Sequence, residues 1–431
     1  MRAMRDSGVE WIGEIPEGWE TRRLRYLASF ESGATPSKDI DEYWAGDIPW
    51  ISSMEVKEDV IYDTSLHISE EAMNSCSTRL LPAGTLVMVV RSGVLQHTIP
   101  VALTGAPMTV NQDIKAITFN DQMMAKYFFY FVRGCNDNLL KVLMKGKSTV
   151  DNLSVDYLID LRIPMPPLDK QRQIVSYLDA RCADIDAVSQ KVRSEIDLLG
   201  EYRKSVIYEA VTKGLDKGVP MRDSGVEWIG DIPKGWDTLK GKYVFEQRNE
   251  KGNRRSLRLL SPTQNYGVIP QDMYEELTGM RPVKLKQDTD LNTLKTIHKG
   301  DFCISLRSFQ GGFEYSEYEG VVSPAYQVFY PIINVFDGYY RHLFKTSAFI
   351  DKMNSYTMSM RDGKNIAFDD FGNTLIPIPP LDEQRRIADY LDARCADIDA
   401  VIAKKRRQLD VLADYRKSLI YEYVTGKREV A

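Results

Sequence analysis

Apolar side chains recur at Ile174, Leu178, Ile185, Val188, Val192, Ile196, Leu199, Tyr202, Val206 and Ala210, in steps of three, four and seven. That spacing lays one narrow stripe along a helix. The stripe returns at Ile387, Leu391, Ile398, Val401, Leu409, Leu412, Tyr415 and Leu419. Each run is entered through a pair of prolines, Pro166-Pro167 and Pro379-Pro380, which cannot lie inside a helix. Asp169 and Asp382 follow, residues suited to cap one. Gly214 and Gly426 supply stops. Each helix would run about 45 residues, roughly 68 Å at 1.5 Å per residue. A stripe so long and narrow needs a partner, and the spacing predicts that the two copies pair as an antiparallel coiled coil. Packing of each helix on the block that precedes it is the alternative at this stage.

Outside these runs the patterning changes. Leu86 to Val90 (LVMVV), Asp113 to Phe119, Asp301 to Leu306 and Tyr326 to Ile332 read as strands. Asp121 to Gly134 and Gly338 to Met353 read as helices. The fold class predicted is α+β: two mixed α/β domains alternate with two long helices, and a pseudo-two-fold relates the halves.

The alternation is written in the sequence as a duplication. MRDSGVEWIGEIPEGW (Met4 to Trp19) returns as MRDSGVEWIGDIPKGW (Met221 to Trp236), and YLDARCADIDAV occurs identically at Tyr177 to Val188 and Tyr390 to Val401. The stretches between, Thr21 to Arg162 and Asp237 to Leu375, share little beyond fragments such as GTLVMVVRS beside GDFCISLRS. One large unit is used twice, with a constant frame and a variable filling. The expected boundaries are 1–166 for a first variable domain with its leading frame segment and 167–214 for the first constant helix. Residues 215–379 would hold the linker, second frame segment and second variable domain, and 380–431 the second constant helix.

Composition narrows what the filling does. The chain has 431 residues with 43% hydrophobic and 27% charged, a mix that supports real cores. No apolar run reaches the length of a membrane span and the start lacks a signal-peptide layout, so a cytoplasmic location is expected. The five cysteines form no CxxC pair and the four histidines are scattered, so zinc spacing is missing and no metal is expected. No Walker A loop, HExxH or cofactor loop in strand-turn-helix context is found, and Asp47 with Glu55 and Lys57 is a chance resemblance to a nuclease set. No catalytic residue and no cofactor are assigned to this chain.

The net charge of -5 does not advertise nucleic-acid binding, so any DNA contact must be local. The variable blocks do carry loops of base-reading and phosphate-holding side chains. The first offers Arg91, Ser92, Gln96, His97, Asn111, Gln112, Lys145, Lys147, Ser148 and Thr149. The second offers Gln264, Asn265, Tyr266, Arg307, Ser308, Gln310, Arg361, Lys364 and Asn365. Arginine can grip guanine, and asparagine or glutamine adenine, through two bonds each; lysine and hydroxyls hold phosphates. The frame positions assigned to the coiled coil are Ile174, Leu178, Ile185, Val188, Val192 and Leu199, with Ile387, Leu391, Ile398, Val401, Leu412 and Leu419.

A variable block beginning near GEIPEGW and closed by IPMPPLDKQRQI or IPIPPLDEQRRI ahead of a long helix resembles the specificity subunit of type I restriction-modification systems. The resemblance runs from Met4 to Lys427. It implies a non-catalytic DNA-reading subunit with two target recognition domains, each for one half of a bipartite asymmetric site. It further implies two methyltransferase subunits docked on the helical frame and a motor-nuclease subunit beyond them. S-adenosylmethionine, ATP and Mg2+ would then belong to those partners. A coiled-coil adaptor whose variable domains bind proteins is the competing reading.

Overall fold

The computed structural model describes residues 3–76, 78–144, 151–251, 257–280, 291–305, 312–356 and 366–430. The chain folds as two compact units, residues 1–192 with 407–431, and residues 193–406. Each unit takes part of both long helices, which run Leu168–Lys213 and Leu381–Val424.

In the first unit a five-stranded sheet is ordered Ala28–Ser32, Ile114–Phe119, Leu86–Val89, Val101–Thr104, Val60–Ile61. The central LVMV strand is apolar at every position because both faces of the sheet are covered. Leu86 and Met88 enter a core with the helix Ala125–Gly134, while Val87 and Val89 enter a second core with Ala102, Ile114 and Ala116. A separate three-stranded sheet holds Thr109–Val110, Ile48–Ile51 and His67–Ile68.

The second unit repeats the plan with four strands, Phe245–Arg248, Gln327–Pro331, Phe302–Ile304 and Phe313–Tyr315. Phe245, Phe302, Phe313 and Phe329 pack beneath the helices on one face, and Cys303 and Val328 face the other core. The single helix expected over 338–353 is two, Asp337–Leu343 and Ser347–Ser355. Fully buried Phe344 turns the chain inward and Thr346 caps the second helix by accepting from Phe349 N. The helix expected from Asp121 begins at Ala125, and the loop expected at Gln264 to Tyr266 is the turn of a hairpin, Leu260–Thr263 with Gly267–Pro270.

The ends of each variable block are stitched together. Glu20–Arg23 pairs antiparallel with Arg162–Met165, and Asp237–Lys240 pairs antiparallel with Leu375–Ile378. A block can therefore vary inside while its two exits stay fixed on the frame.

The long helices pair with each other in both units. In the first, the Tyr177 and Tyr423 rings lie 4.6 Å apart and Arg416 meets Asp186 at 3.2 Å; in the second, Arg203 meets Asp399 at 3.2 Å. Rising number on one helix meets falling number on the other, so the pair is antiparallel. From Leu178 the buried or half-buried positions run 182, 185, 189, 192, 196, 199, 203, 206 and 210, alternating four and three; the second helix repeats this from Leu391 to Tyr423. That is a heptad seam.

The seam corrects four expected positions, two in each helix. Val188 and Val401 are exposed, at 45% and 44%, and so are Tyr202 and Tyr415. Cys182 and Cys395 hold the step between Leu178 and Ile185 and between Leu391 and Ile398, which moves the next inward position to Ser189 and Ile402. The helices also begin at Leu168 and Leu381, so Asp169 and Asp382 sit inside the first turn rather than capping it. Gly214 and Gly426 end them in the left-handed conformation, with φ of 75° and 71°.

Candidate nucleic-acid interface and the frame that holds it

In the first unit the segments carrying the expected DNA contacts converge on one edge. Arg91 bridges to Asn152, Ser92 N donates to the Asp151 carbonyl, and Gln96 Nε2 donates to Asp151 Oδ2 at 2.9 Å. Arg91 lies 4.0 Å from Asp113, whose N–H donates to Asn111 Oδ1 at 3.0 Å. Asn111 is buried and structural, whereas Arg91, Gln96, His97 and Gln112 are exposed. The His97 carbonyl accepts from Asn136 Nδ2, which secures the end of that turn. Lys145, Lys147, Ser148 and Thr149 lie outside the described residues, in the segment that runs into Asp151.

In the second unit Gln264, Asn265 and Tyr266 form the tip of the 260–270 hairpin, where Thr263 Oγ1 donates to the Gly267 carbonyl and accepts from Tyr266 N. The turn holds Tyr266 outward, about half exposed. Arg307, Ser308, Gln310, Arg361, Lys364 and Asn365 lie outside the described residues. Among the described residues no group of His, Cys, Asp and Glu is placed to hold a metal. Also among them, no helix is long and apolar enough to cross a membrane.

What holds these blocks is the same set of frame side chains used twice. Gln171 is fully buried; its Oε1 accepts from Met124 N at 2.9 Å and its Nε2 donates to the Pro166 carbonyl at 3.0 Å. Gln384 does the same with Phe336 N at 2.7 Å and the Pro379 carbonyl at 2.8 Å. The repeated Pro-Pro-Leu-Asp-x-Gln entry is thus a clamp that joins the helix start to a partly buried turn of the variable block. Tyr127 and Tyr339, fully buried, donate to the carbonyls of Val424 and Val211 at 2.8 and 2.6 Å, tying each block to the end of the opposite helix. Burial pushes both phenols well above their ordinary pKa.

The leading frame segments behave alike. Arg5 and Arg222 donate to the carbonyls of Trp19 and Trp236, and Asp6 and Asp223 accept from Gly8 N and Gly225 N, where a positive φ suits glycine. Tyr421 donates to the Trp11 carbonyl and Tyr208 to the Ile229 carbonyl. MRDSGVEWIG is a docking strap whose arginine, aspartate and serine side chains bond to backbone.

Where the frame meets the variable filling, one constant aspartate takes different partners. Asp179 accepts from Lys126 at 2.8 Å and Tyr130 at 2.5 Å. Asp392, its twin, meets Arg341 and lies 2.9 Å from His342 Nε2. Partial burial works against the Asp392 carboxylate, and the His342 hydrogen bond with the Arg341 charge outweighs it, leaving its pKa below the ordinary value.

The family described as type I restriction modification DNA specificity domain matches residues 16–197 and again 233–410, well over half of the chain. The chain belongs to that specificity family. The two matched spans are the two variable blocks, each with the first part of the helix that follows. The EcoR124I/EcoR124II specificity subunit of Escherichia coli is 32% identical over 43% of this chain and 45% of its own length. The MjaIX specificity subunit of Methanocaldococcus jannaschii is 28% identical over 53% and 52%. The chain thus spans about half the length of these two curated relatives. A putative MjaX specificity subunit of the same archaeon is 24% identical over 97% of this chain and 96% of its own. A solved chain from work on complex assembly and conformational transition of the type I R-M system covers 96% of this chain and 99% of itself, with a TM-score of 0.69 at 16% identity; that likeness is one of fold.

The functional residues that sequence reasoning missed are Gln171, Gln384, Tyr127 and Tyr339. A signal existed for the glutamines: a polar residue repeated at a fixed place in a helix entry, one turn before the first stripe position. The two tyrosines sit in blocks that barely align, so their equivalence is not visible without the fold.

Proposed function

We propose that this chain is the non-catalytic sequence-reading subunit of a type I restriction-modification complex. Each variable block binds one half of a bipartite, asymmetric duplex DNA site, and the paired helices present equivalent docking surfaces to two methyltransferase subunits. The carrying observation is that Gln171 and Gln384, with Tyr127 and Tyr339, hold two different blocks in the same way. Two readers on one repeated frame is the arrangement an asymmetric site and two identical partners require. A rod of roughly 68 Å spans at most about 20 base pairs at 3.4 Å per pair. Residues 1–166 and 215–379 are the reading domains with their straps, and 167–214 and 380–431 the constant helices.

The docking surface is supported by exposed apolar residues at equivalent places of both copies. Val188 pairs in this sense with Val401, Leu198 with Val411, and Tyr202 with Tyr415. The partners would bring S-adenosylmethionine for adenine methylation, and a motor-nuclease subunit would bring ATP and Mg2+ chemistry. The deciding experiment replaces residues 21–162 by the same block of a relative and maps methylated sites in cells. One half-site should change and the other stay; if neither half-site changes, the reading fails. Binding of labelled duplex by the chain with its methyltransferase should be sequence-selective and weaken as salt rises. A protein-binding adaptor would show neither.

A further inference from the structure

Among the exposed base-reading candidates of the first block, Gln112 is the one whose surroundings are over-determined. Its neighbours are locked on both sides: Asn111 N donates to the Ile51 carbonyl, and Asp113 N to Asn111 Oδ1. Its own Oε1 accepts from the Thr35 hydroxyl at 2.7 Å. Thr35 in turn sits in a stapled segment. Trp50 Nε1 donates to the Ala34 carbonyl and Trp44 Nε1 to the Ser37 carbonyl, both at 3.0 Å, and the two indoles pack edge to face at 5.1 Å. Gly33 lets this segment lie against Val110: a Cβ there would stand 1.6 Å from the Val110 carbonyl oxygen.

An exposed glutamine normally gives up much rotamer freedom to make one contact. Two tryptophans and a glycine contact devoted to placing one threonine beside it remove that cost in advance. We infer that Thr35 is a positioning residue for base recognition. Its hydroxyl occupies Gln112 Oε1 and turns the Gln112 amide N–H2 outward as a donor. The inference rests on the reading of the first block as a DNA-binding domain. A donor facing the major groove suits base edges that offer acceptors, such as purine N7, guanine O6 or thymine O4, and disfavours cytosine, which offers only its N4 donor.

The test uses the chain assembled with its methyltransferase and a duplex library randomised across both half-sites. Thr35→Val removes the hydroxyl at nearly constant shape and frees the amide to flip; Thr35→Ser keeps the hydroxyl. Thr35→Val should relax discrimination against cytosine at one position of one half-site by about tenfold. Thr35→Ser should restore it, and the second half-site and the salt dependence should stay as in the parent. Thermal melting of both variants checks that the block remains folded. Unchanged base preference at every position in both Thr35→Val and Gln112→Ala overturns the inference while leaving the DNA-reading function intact. A uniform loss across all sequences, not rescued by serine, also overturns it, since that is a structural role. Absence of sequence-selective binding by the parent complex would instead overturn the underlying reading.

Discussion

The repeated frame and the unrepeated blocks follow opposite rules in the use of polar groups. On the frame a buried amide, a strap arginine and a strap aspartate make the same bonds in both units, down to equivalent backbone atoms. In the blocks the side chains that meet the frame aspartates differ: Lys126 and Tyr130 serve Asp179 where Arg341 and His342 serve Asp392. Constancy is kept where the frame bonds to backbone, which any block can supply. Variation is allowed where it bonds to side chains, since a carboxylate accepts from lysine, tyrosine, arginine or histidine alike. The identical YLDARCADIDAV segments are thus sockets, with Asp179 and Asp392 facing the block and Asp186 and Asp399 facing the opposite helix.

The sharpest way to break this comparison is through the clamps. Gln171→Ala and Gln384→Ala each leave a buried backbone N–H and carbonyl without the amide, costing about 3 kcal/mol. Hydrogen exchange should show the loss confined to the unit that carries the substitution; equal loosening of both units would show that the clamps are not local.

A comparable effect, found in one unit only, concerns Glu314. It is buried beside Lys345, burial outweighs that partner, and its carboxyl is pushed up to about 7. A folded-state pKa above the unfolded one gives stability that is full below about pH 4.5 and is lost as pH rises toward 7, by about 3 kcal/mol. Glu314→Gln should flatten that slope in the melting of the second unit. A slope unchanged by the substitution would refute the assignment.

The seam arginines sharpen the comparison further. Arg416 meets Asp186 and also lies 3.6 Å from Asp59 of the first block, whereas Arg203 meets Asp399. Asp399→Ala should therefore cost more than Asp186→Ala, with the larger loss about 1 kcal/mol because both carboxylates are half exposed, in chemical denaturation. The reverse order would mean that Asp59 does not share the load.

The smallest effect tests the heptad phase. Val188→Asp and Val401→Asp change exposed positions and should alter stability by no more than about 0.5 kcal/mol. Capture of the methyltransferase should fall in both variants. A loss of about 2 kcal/mol or more would place these valines in the seam instead of Ser189 and Ile402.

The heptad phase also shows where the sequence misleads. Cys182 and Arg203 occupy inward positions that do not look apolar, so a stripe traced through the aliphatic residues steps onto Val188 and Tyr202. In the second copy Ile402 carries the correct phase, and the disagreement between copies is the clue. Strands over 86–89 and 114–119 are plain because both of their faces, or one of them, are covered by core. The helix break at Phe344 is not plain, because 338–353 keeps a helical pattern across it. Of the expected DNA contacts, the exposed Arg91, Gln96, His97 and Gln112 share an edge, while Asn111 is spent on its own turn.

By itself the sequence determined the duplication, the long helices with their entries and stops, the division into constant and variable parts, and the kinship these carry. Those are features of period, repetition and Pro or Gly placement, which act locally along the chain. Only the tertiary structure decided which polar residues are bonded inward and which remain outward. Gln171 and Gln112 are both glutamines, and in the sequence only the repetition of the first at Gln384 sets them apart. The difference lies in what each meets across the fold: a backbone N–H reached from a buried side chain for one, and a threonine hydroxyl at the surface for the other.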